Sequence, residues 1–266
     1  DPNFNIVGEE WSENPIVISY WQKDKINHDG YVSYLPTLMD FPLQISFTEA
    51  LLDDFNWGKG FIKPYKVLAS DFLYPNPNNL LIFPDNHDMA RFYTQVKNDI
   101  DLFKMGIVYY STMRGIPQFY YGTEILMNSD ENPGDHGLIR TDFPGGWIGD
   151  KINAFNGDGL SIKQLETQKF FKQILNWRKN NNIIHNGKLI QFAPKDGIYS
   201  FFRILENKMV WVIFNRNNSS KTLATSRFDE LIENHKSAFD VLNKKKISTS
   251  EKLIINAKSA LILEIE

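Results

Sequence analysis

The stretch "NLLIFPDNHD", residues 79–88, decides the fold because a continuously apolar run ends abruptly in four polar residues. Short apolar runs of this kind are typical of strands buried on both faces of a parallel sheet, where helices cover the sheet. In such α/β architectures, ligand sites form at the carboxyl ends of the strands. The run Asp85-Asn86-His87-Asp88 therefore lies where chemistry is expected.

Strand and helix patterns alternate on both sides of this stretch. Strands are predicted at Phe4–Val7, at the end of Val32–Asp40 and in Gly115–Gly122. Helices are predicted at Leu43–Phe55, where Leu43, Phe47, Leu51 and Phe55 share one face, in the segment that Asn98 caps, and at Thr167–Asn180. Buried strands that alternate with amphipathic helices predict βαβ units and a parallel sheet.

The pattern changes after about His185, where short strands follow one another with polar turns and no helix between them. This pattern is typical of a small antiparallel β-sandwich. We place the boundary within residues 180–188, which gives two domains, 1–182 and 183–266.

The amino-acid composition excludes some classes of binding partner and of chemical site. The chain has 266 residues and a net charge of -3, and this near balance gives no electrostatic footprint for nucleic acid. With no cysteine, disulfides and thiolate metal sites are excluded. No apolar run reaches the roughly 18–20 residues of a membrane span. The many aromatic residues (20 Phe, 11 Tyr and 6 Trp) suggest stacking on flat or ring-shaped ligands.

One long segment, residues 128–159, is rich in Gly, Asp and Asn and has no apolar period. Loops of this length in compact domains are usually functional lids or disordered segments. The embedded Phe143, Trp147 and Phe155 favour an ordered lid.

Two of the predicted strand ends carry carboxylates, in Gly8-Glu9-Glu10-Trp11 and in Asp85-Asn86-His87-Asp88. Paired carboxylates with a nearby imidazole suit glycosidic bond cleavage, in which one acid protonates the leaving oxygen. Taken alone, however, Glu9 and Glu10 also fit a solvated strand end. His87 equally fits a structural histidine, and Asp88 fits a helix cap.

Four ordered motifs resemble segments of the α-amylase superfamily, glycoside hydrolase family 13. "IVGEEW" (residues 6–11) resembles its acid/base segment, and "FPDNHD" (83–88) resembles its Asn-His-Asp segment. "GIPQFYYGTEI" (115–125) is similar to the segment after the eighth strand. "LIRTDFPGGW" (138–147) resembles a loop of the neopullulanase and cyclomaltodextrinase branch.

The resemblance implies roles for particular residues. Glu9 would be the general acid/base, and Asp88 would hold the 2- and 3-hydroxyls of the sugar and stabilise the transition state. His87 would bind the same ring, as would Asn86 of the same motif. Trp11, next to the acid, would be a sugar-stacking or packing residue, and Arg91 would bind substrate or orient the carboxylates. Arg140 would be a lid or substrate-rim residue, and Trp147 a further substrate contact.

The resemblance also implies a nucleophilic aspartate in a Gly-x-Arg-x-Asp segment on the fourth strand, ahead of the acid/base. The nearest sequence is "GLIRTD", residues 137–142, but its glycine is one residue too far from the arginine, so Asp142 is rejected. We therefore expect the C-terminal half of a (β/α)8 TIM barrel, strands 5–8, followed by the sandwich. We also expect the chain alone to be inactive, with the other half of the barrel missing or supplied by a partner chain.

The expected function is retaining hydrolysis of α-1,4-glucosidic bonds in maltooligosaccharides, cyclodextrins or pullulan. A transglycosylase and a non-catalytic glucan-binding or assembly fragment are the alternatives. No cofactor is expected to be required. Calcium is a candidate structural ion at residues 128–135, where an ordinary solvated loop is the competing interpretation. A homo-oligomer is a candidate assembly, and a bacterial periplasm or cytoplasm is the expected location.

Overall fold

The computed structural model describes residues 4–54 and 56–266. Residues 1–3 and Phe55, the last position of the predicted helical spacing, lie outside the described residues. Four short strands pair in parallel in chain order: β1 (Val7–Gly8), β2 (Thr37–Leu38), β3 (Leu81–Ile82) and β4 (Ile116–Pro117). A parallel bridge between Met39 and Leu81 joins the second strand to the third, so that the four form one continuous series.

Helices separate these strands, as the alternating pattern predicts. Between the strands lie α1 (Pro15–Tyr20), α2 (Phe41–Leu52), α3 (Ile62–Ala69), α4 (Phe92–Gln95) and α5 (Ile100–Thr112). After the fourth strand come α6 (His136–Ile139), α7 (Ile162–Lys179) and α8 (Asn182–Asn186).

Helix boundaries differ from the predicted ones where capping side chains decide them. The carboxylate of Asp99, rather than the predicted Asn98, accepts hydrogen bonds from the first turn of α5, while Asn98 adopts a left-handed φ of 57°. Helix α7 begins before the predicted Thr167 because Ser161 and Gln164 form a capping box. Helix α2 begins at Phe41 because the Asp40 side chain accepts the Leu43 N–H at 3.1 Å.

The C-terminal region is an antiparallel β domain. Its first strands are β5 (Lys188–Lys195), β6 (Ile198–Leu205), β7 (Lys208–Asn215) and β8 (Lys221–Ala224). After α9 (Asp229–Ile232) come β9 (Ser237–Asp240), β10 (Lys245–Ser248), β11 (Lys252–Ile255) and β12 (Ser259–Ile265). Six of these strands form one sheet in the order β10-β9-β12-β7-β6-β5, and β8 pairs separately with β11. The predicted division between residues 182 and 183 falls inside α8, shortly before β5.

Residues alternate between the two faces of the six-stranded sheet, and both faces are covered. Val212 and Phe214 join the cluster that α2, α5 and α7 contribute to, in which Phe47 stacks on Tyr109 with ring centroids 3.6 Å apart. Trp211 belongs to the cluster on the opposite face, where it stacks on Phe202 at 5.1 Å. The predicted fold, parallel βα units followed by an antiparallel domain, is confirmed.

Within the described ranges, no helix combines the length and apolarity that crossing a bilayer requires.

Candidate active site

The parallel register aligns the carboxyl ends of the four strands at one rim. Gly8 lies opposite Leu38, Met39 opposite Leu81, and Ile82 opposite Pro117. The Gly8 carbonyl accepts the Met39 N–H at 3.1 Å, and the Leu81 carbonyl accepts the Asp40 N–H at 2.9 Å. Because neighbouring strands lie about 4.8 Å apart, the backbones of β1 and β3 are separated by about 10 Å at this rim.

Glu9 follows β1 directly, at the rim. Its side chain is exposed, whereas that of Glu10 is half-buried, as expected when successive side chains of an extended chain point in opposite directions. Within residues 4–54 and 56–266, the Glu9 carboxylate forms neither a hydrogen bond nor an ion pair. It is therefore accessible to a group that approaches from solvent.

An aromatic ladder connects the segment after β1 with the segment after β3. The Trp11 indole stacks on Phe41, with centroids 4.5 Å apart and planes 26° apart, and Phe41 meets Phe83 edge-on at 5.1 Å. Phe41 and Phe83 are fully buried, while 49% of Trp11 is exposed. The ladder thus anchors the chain beside Glu9 and leaves part of the indole open to a ligand.

The turn after β3 is held by Asn86. Its Oδ1 accepts the Asp88 N–H at 2.8 Å, which makes an Asx turn, and the side chain is only 1% exposed. This burial favours a positioning role for Asn86 over the direct substrate contact that the resemblance implies. His87 and Asp88 are consequently presented at the surface of the rim.

Three basic groups surround the Asp88 carboxylate. Arg140 Nη2 donates to Asp88 Oδ1 at 2.5 Å, His87 Nε2 lies 3.1 Å from Oδ2, and His136 Nδ1 lies 3.6 Å from Oδ1. Arg140 also donates from Nε to the His87 carbonyl at 2.9 Å. The segment around α6 therefore closes over the end of β3, and the predicted site residues Arg140, His87 and Asp88 lie together.

Comparison with known proteins identifies the family. A family model described as "Alpha amylase, catalytic domain" matches residues 1–144, which is more than half of the chain. The chain belongs to the alpha-amylase catalytic-domain family. A second model, described as "Cyclo-malto-dextrinase C-terminal domain", matches residues 189–264. The resemblance found in the four motifs is thereby confirmed.

Curated relatives agree with this assignment. The chain is 24% identical to a cyclomaltodextrinase from Thermoanaerobacter pseudethanolicus, over 99% of this chain and 40% of the relative. It is also 24% identical to alpha-amylase 3 from Dictyoglomus thermophilum, over 99% of this chain and 52% of the relative. A cyclomaltodextrin glucanotransferase from Paenibacillus macerans is 33% identical over 59% of this chain and 19% of the relative. The chain thus spans about half or less of the length of these relatives.

A solved structure supports the fold. The alpha-amylase from Geobacillus thermoleovorans, complexed with acarbose, aligns with a TM-score of 0.76 at 20% identity. The alignment covers 99% of this chain and 54% of that chain.

Arg91 does not reach the surface of the rim. Its side chain is fully buried, with Cζ 4.1 Å from the centre of the Tyr120 ring, and Nη1 donates to the Tyr121 carbonyl. Of the two roles predicted for Arg91, substrate binding therefore has no support from this placement. Orientation of the carboxylates by Arg91 stays a prediction, and the contact that the structure shows is the hydrogen bond to the segment after β4.

Asp85 is a buried part of the site to which the sequence analysis assigned no role. Its carboxylate accepts the Phe92 N–H at 2.7 Å and the Thr123 hydroxyl at 3.2 Å, so it links the loops that follow β3 and β4. Burial raises the pKa of Asp85 to about 6, although these hydrogen bonds and nearby Arg91 oppose that rise. In the sequence, the position of Asp85 in the polar run after β3 was the one indication that it belongs to the site. His136 was also missed, because neither motif nor spacing connects it with Asp88.

The lid, residues 128–159, has defined internal contacts. The Asp150 carboxylate accepts the Gly145 and Trp147 N–H groups at 2.8 and 3.1 Å, and Phe143 packs edge-on against Phe155 at 5.0 Å. The Trp147 side chain is 69% exposed and makes no ring contact with the residues around Asp88. These contacts agree with the expected ordered lid, and substrate binding by Trp147 stays a prediction.

The candidate calcium segment, residues 128–135, carries acidic and amide side chains. Throughout the described part of the chain, no group of three His, Cys, Asp or Glu side chains converges on a point that could hold a metal ion. In the acidic segment, Asp130 accepts hydrogen bonds from Thr94 and Asn98, each at 2.7 Å. Amide and backbone oxygens can also be calcium ligands, so calcium binding at residues 128–135 stays a prediction.

Proposed function

We propose that this chain contributes the acid/base and a sugar-holding carboxylate to an enzyme that cleaves α-1,4-glucosidic bonds with retention. The observation that carries the proposal is the parallel register, because it aligns the strand ends that Glu9 and Asp88 follow at one rim. The chain belongs to the alpha-amylase catalytic-domain family, which supports a catalytic use of this rim. The proposal concerns the whole enzyme, of which these residues form one part.

Glu9 would protonate the leaving glycosidic oxygen and then accept a proton from the water that completes hydrolysis. Its exposure, and the absence of a partner within the described residues, support this role because the carboxyl group is open to a substrate oxygen. The adjacent Trp11 offers an indole against which a sugar ring could pack.

Asp88 would accept hydrogen bonds from two sugar hydroxyls, and these bonds would strengthen as positive charge develops in the ring. Arg140 donates to this carboxylate, and the rings of His87 and His136 lie 3.1 and 3.6 Å from it, so the carboxylate is held among polar groups at the surface of the rim. A sugar would have to share Asp88 with Arg140 or displace it, so movement of the α6 segment is part of the proposed cycle.

Retention requires a second carboxylate roughly 5–5.5 Å from the acid. The only segment that approaches the expected nucleophile motif contains Asp142, which is exposed and follows α6 in the lid. We therefore propose that the nucleophile comes from outside these 266 residues, from the rest of a longer polypeptide or from a partner chain. On this proposal the 266-residue chain alone is inactive.

Maltooligosaccharides, cyclodextrins or pullulan are the proposed substrates. Support comes from the match of residues 189–264 to the cyclo-malto-dextrinase C-terminal domain and from relatives named cyclomaltodextrinase. Transglycosylation is the second candidate, because other relatives are named cyclomaltodextrin glucanotransferase. The same covalent intermediate would then react with a sugar hydroxyl instead of water.

The decisive experiment compares Glu9→Gln with Glu10→Gln in the protein that contains this chain together with the remaining barrel segments. Loss of general acid catalysis is expected to lower kcat/KM on maltodextrin by roughly 10²–10⁴-fold in the Glu9 variant. Glu10→Gln is the matched control, since the two residues are adjacent and differ in burial; it should change kcat/KM by less than about threefold.

Equal activity of the two Gln variants would contradict the role of Glu9. The 266-residue chain is assayed in parallel on maltodextrin, cyclodextrin and pullulan. Turnover by the isolated chain would contradict the proposal that the nucleophile lies outside it.

A further inference from the structure

A large groove lies at the junction of the two domains, away from the rim that carries Glu9 and Asp88. It has a volume of about 940 Å³ and is bounded by the loop between α2 and α3, the β5–β6 turn and the β7–β8 turn. None of the residues assigned to the candidate active site lines it. Ligand pockets of small molecules typically span about 300–1,000 Å³, so the groove is large enough for one.

The groove is strongly basic. Five basic side chains face two carboxylates in its lining, whereas the whole chain has a net charge of -3. The basic residues come from three separate segments: Lys59, Lys66, Lys195, Arg216 and Lys221. A concave surface of one sign attracts ligands of the opposite sign, because low-dielectric walls concentrate the field.

The four lysines keep their charges available. Within residues 4–54 and 56–266, none of them lies within ion-pair distance of a carboxylate. In the described part of the chain, the two carboxylates of the lining, Asp54 and Asp196, likewise form no ion pair with these lysines. An anionic ligand would therefore meet lysines that need not break an existing ion pair.

The groove also contains a flat apolar surface. The side chain of Trp57 is fully exposed, and Trp57 lies near Lys59 in the lining of the groove. Asn56 and Asn217 add amide groups to the same lining. An exposed indole next to amides and cations suits a ligand that combines a ring carrying hydroxyls with an anionic group.

We propose that this groove binds a sugar phosphate. The phosphate contacts the lysines contributed by the two domains, and the sugar ring packs against Trp57. A neutral glucan would leave the excess positive charge without a partner, which is why the charge favours a phosphorylated sugar over the substrates proposed above. The two domains meet in this groove, so the ligand bridges them.

The test measures binding by isothermal titration calorimetry at low ionic strength, where electrostatic contacts are least screened. The 266-residue chain is titrated with glucose 6-phosphate, inorganic phosphate and maltose. Glucose 6-phosphate is expected to bind at least about tenfold more tightly than maltose, and its affinity should fall as salt is added. Because the readout is binding, failure of the proposed glucan cleavage would leave this result unaffected.

Three variants locate the site. Lys195→Gln with Lys221→Gln should weaken glucose 6-phosphate binding by about tenfold, because two cations are lost. The charge-matched control, Lys172→Gln with Lys179→Gln, alters two exposed residues of α7 and should leave the affinity unchanged. Trp57→Ala should weaken binding of glucose 6-phosphate severalfold while binding of inorganic phosphate stays the same.

The proposal is overturned if maltose binds as tightly as glucose 6-phosphate, or if the two double variants behave alike. It is also overturned if Trp57→Ala affects both phosphates equally, because the ring would then contribute nothing. Circular dichroism of each variant establishes that the fold is retained, and Trp57 and the four substituted lysines lie outside the core clusters.

Discussion

The parallel half and the antiparallel half of this molecule stabilise their strands in different ways. The strands of the parallel series are two residues long, whereas β5, β6 and β7 each have eight residues. Both faces of the six-stranded sheet are covered by core clusters. In the parallel series, Val7 and Ile116 are 50% and 46% exposed, and Phe4 and Ile6, just before β1, are 70% and 47% exposed.

The difference shows where stability and chemistry reside. Hydrogen-bonded ladders and two apolar layers hold the antiparallel domain. The rim around Glu9 and Asp88 depends instead on side-chain contacts: the Trp11–Phe41 stack, the Asp85 hydrogen bonds and the Arg140–Asp88 ion pair. Functional groups commonly lie on loops that a rigid scaffold positions, and this molecule follows that division.

The largest expected effect is a difference in the free energy of unfolding between substitutions of two buried arginines, one in each half. Arg114 of the parallel half bonds Asp71 at 2.6 and 2.8 Å and Asp40 at 2.6 Å. Burial opposes its charge, but Asp71 and Asp40 raise the pKa of Arg114 well above its usual value. Arg114→Met should lower the free energy of unfolding by roughly 3–5 kcal/mol, because Asp40 would stay buried without its partner.

Arg203 of the antiparallel half is the matched comparison. It is fully buried and donates to the carbonyls of Gly187 and Thr112, and burial lowers its pKa to about 9. Arg203→Met should cost only about 1–3 kcal/mol, since carbonyls rather than a carboxylate lose a partner. Urea unfolding measures the stability of both variants. Equal losses of stability would contradict the expected difference between a lost carboxylate partner and lost carbonyl partners. Asp40→Asn added to Arg114→Met should restore part of the stability.

The second effect is the dependence of stability on pH that Asp85 causes. Its folded-state pKa of about 6 lies above the ordinary value of about 3.9, so the folded protein holds this proton more tightly than the unfolded chain. The resulting stabilisation is complete below about pH 4 and is lost as the pH rises to about 6. Relative to Asp85→Asn, the wild-type protein should lose roughly 3 kcal/mol between pH 4 and pH 7.

Unfolding of both proteins across this pH range provides the measurement. The difference between them should change below pH 6 and remain constant above about pH 7. A difference that is the same at pH 4.5 and pH 7 would show that Asp85 is ionised throughout.

A third, smaller effect compares one substitution in the two halves. Val212 in β7 is fully buried, and Val7 in β1 is 50% exposed. Val212→Thr should lower the unfolding free energy by about 1–3 kcal/mol, because the hydroxyl is buried. Val7→Thr should change it by less than about 0.5 kcal/mol. Thermal or urea unfolding of the two variants measures both changes. A large loss of stability in Val7→Thr would mean that the side of β1 that carries Val7 is covered.

The smallest expected change in stability comes from Arg140→Ala. Arg140 is partly exposed, and ion pairs at such positions contribute about 0–1 kcal/mol, so the free energy of unfolding should hardly change. Locally, the α6 segment would lose its bond to Asp88, and amide hydrogen exchange across residues 136–142 should become faster. Lys172→Ala, at an exposed position of α7, serves as the control. Unchanged exchange in α6 would show that Arg140 does not hold the segment.

Local pattern was sufficient for much of the fold. The apolar run before Asp85, the helical spacing of Leu43, Phe47 and Leu51, and the polar turns after His185 predicted the parallel and antiparallel parts. Helix ends were less predictable. Asn98 and Asp99 both have side chains that can cap α5, and the left-handed backbone at Asn98 leaves the role to Asp99.

The candidate site was predicted in part. Four ordered motifs placed Glu9, His87 and Asp88 at strand ends, and the structure aligns these ends in one register. Sequence reasoning treated Arg91 as a residue that could touch substrate, but the structure buries it under Tyr120 and Tyr121. Spacing along a chain does not report whether a long side chain points to solvent or into the protein.

The sequence by itself determined the order of strands and helices, the change to antiparallel strands and the motifs of the family. These properties depend on residues that are close along the chain, where periodicity and capping act. Only the tertiary structure decided that Arg140 bonds Asp88, that Trp11 stacks on Phe41 and that basic side chains from three segments share one groove. Such contacts join distant residues, and they form only when packing of the whole chain brings those residues within a few ångströms of one another.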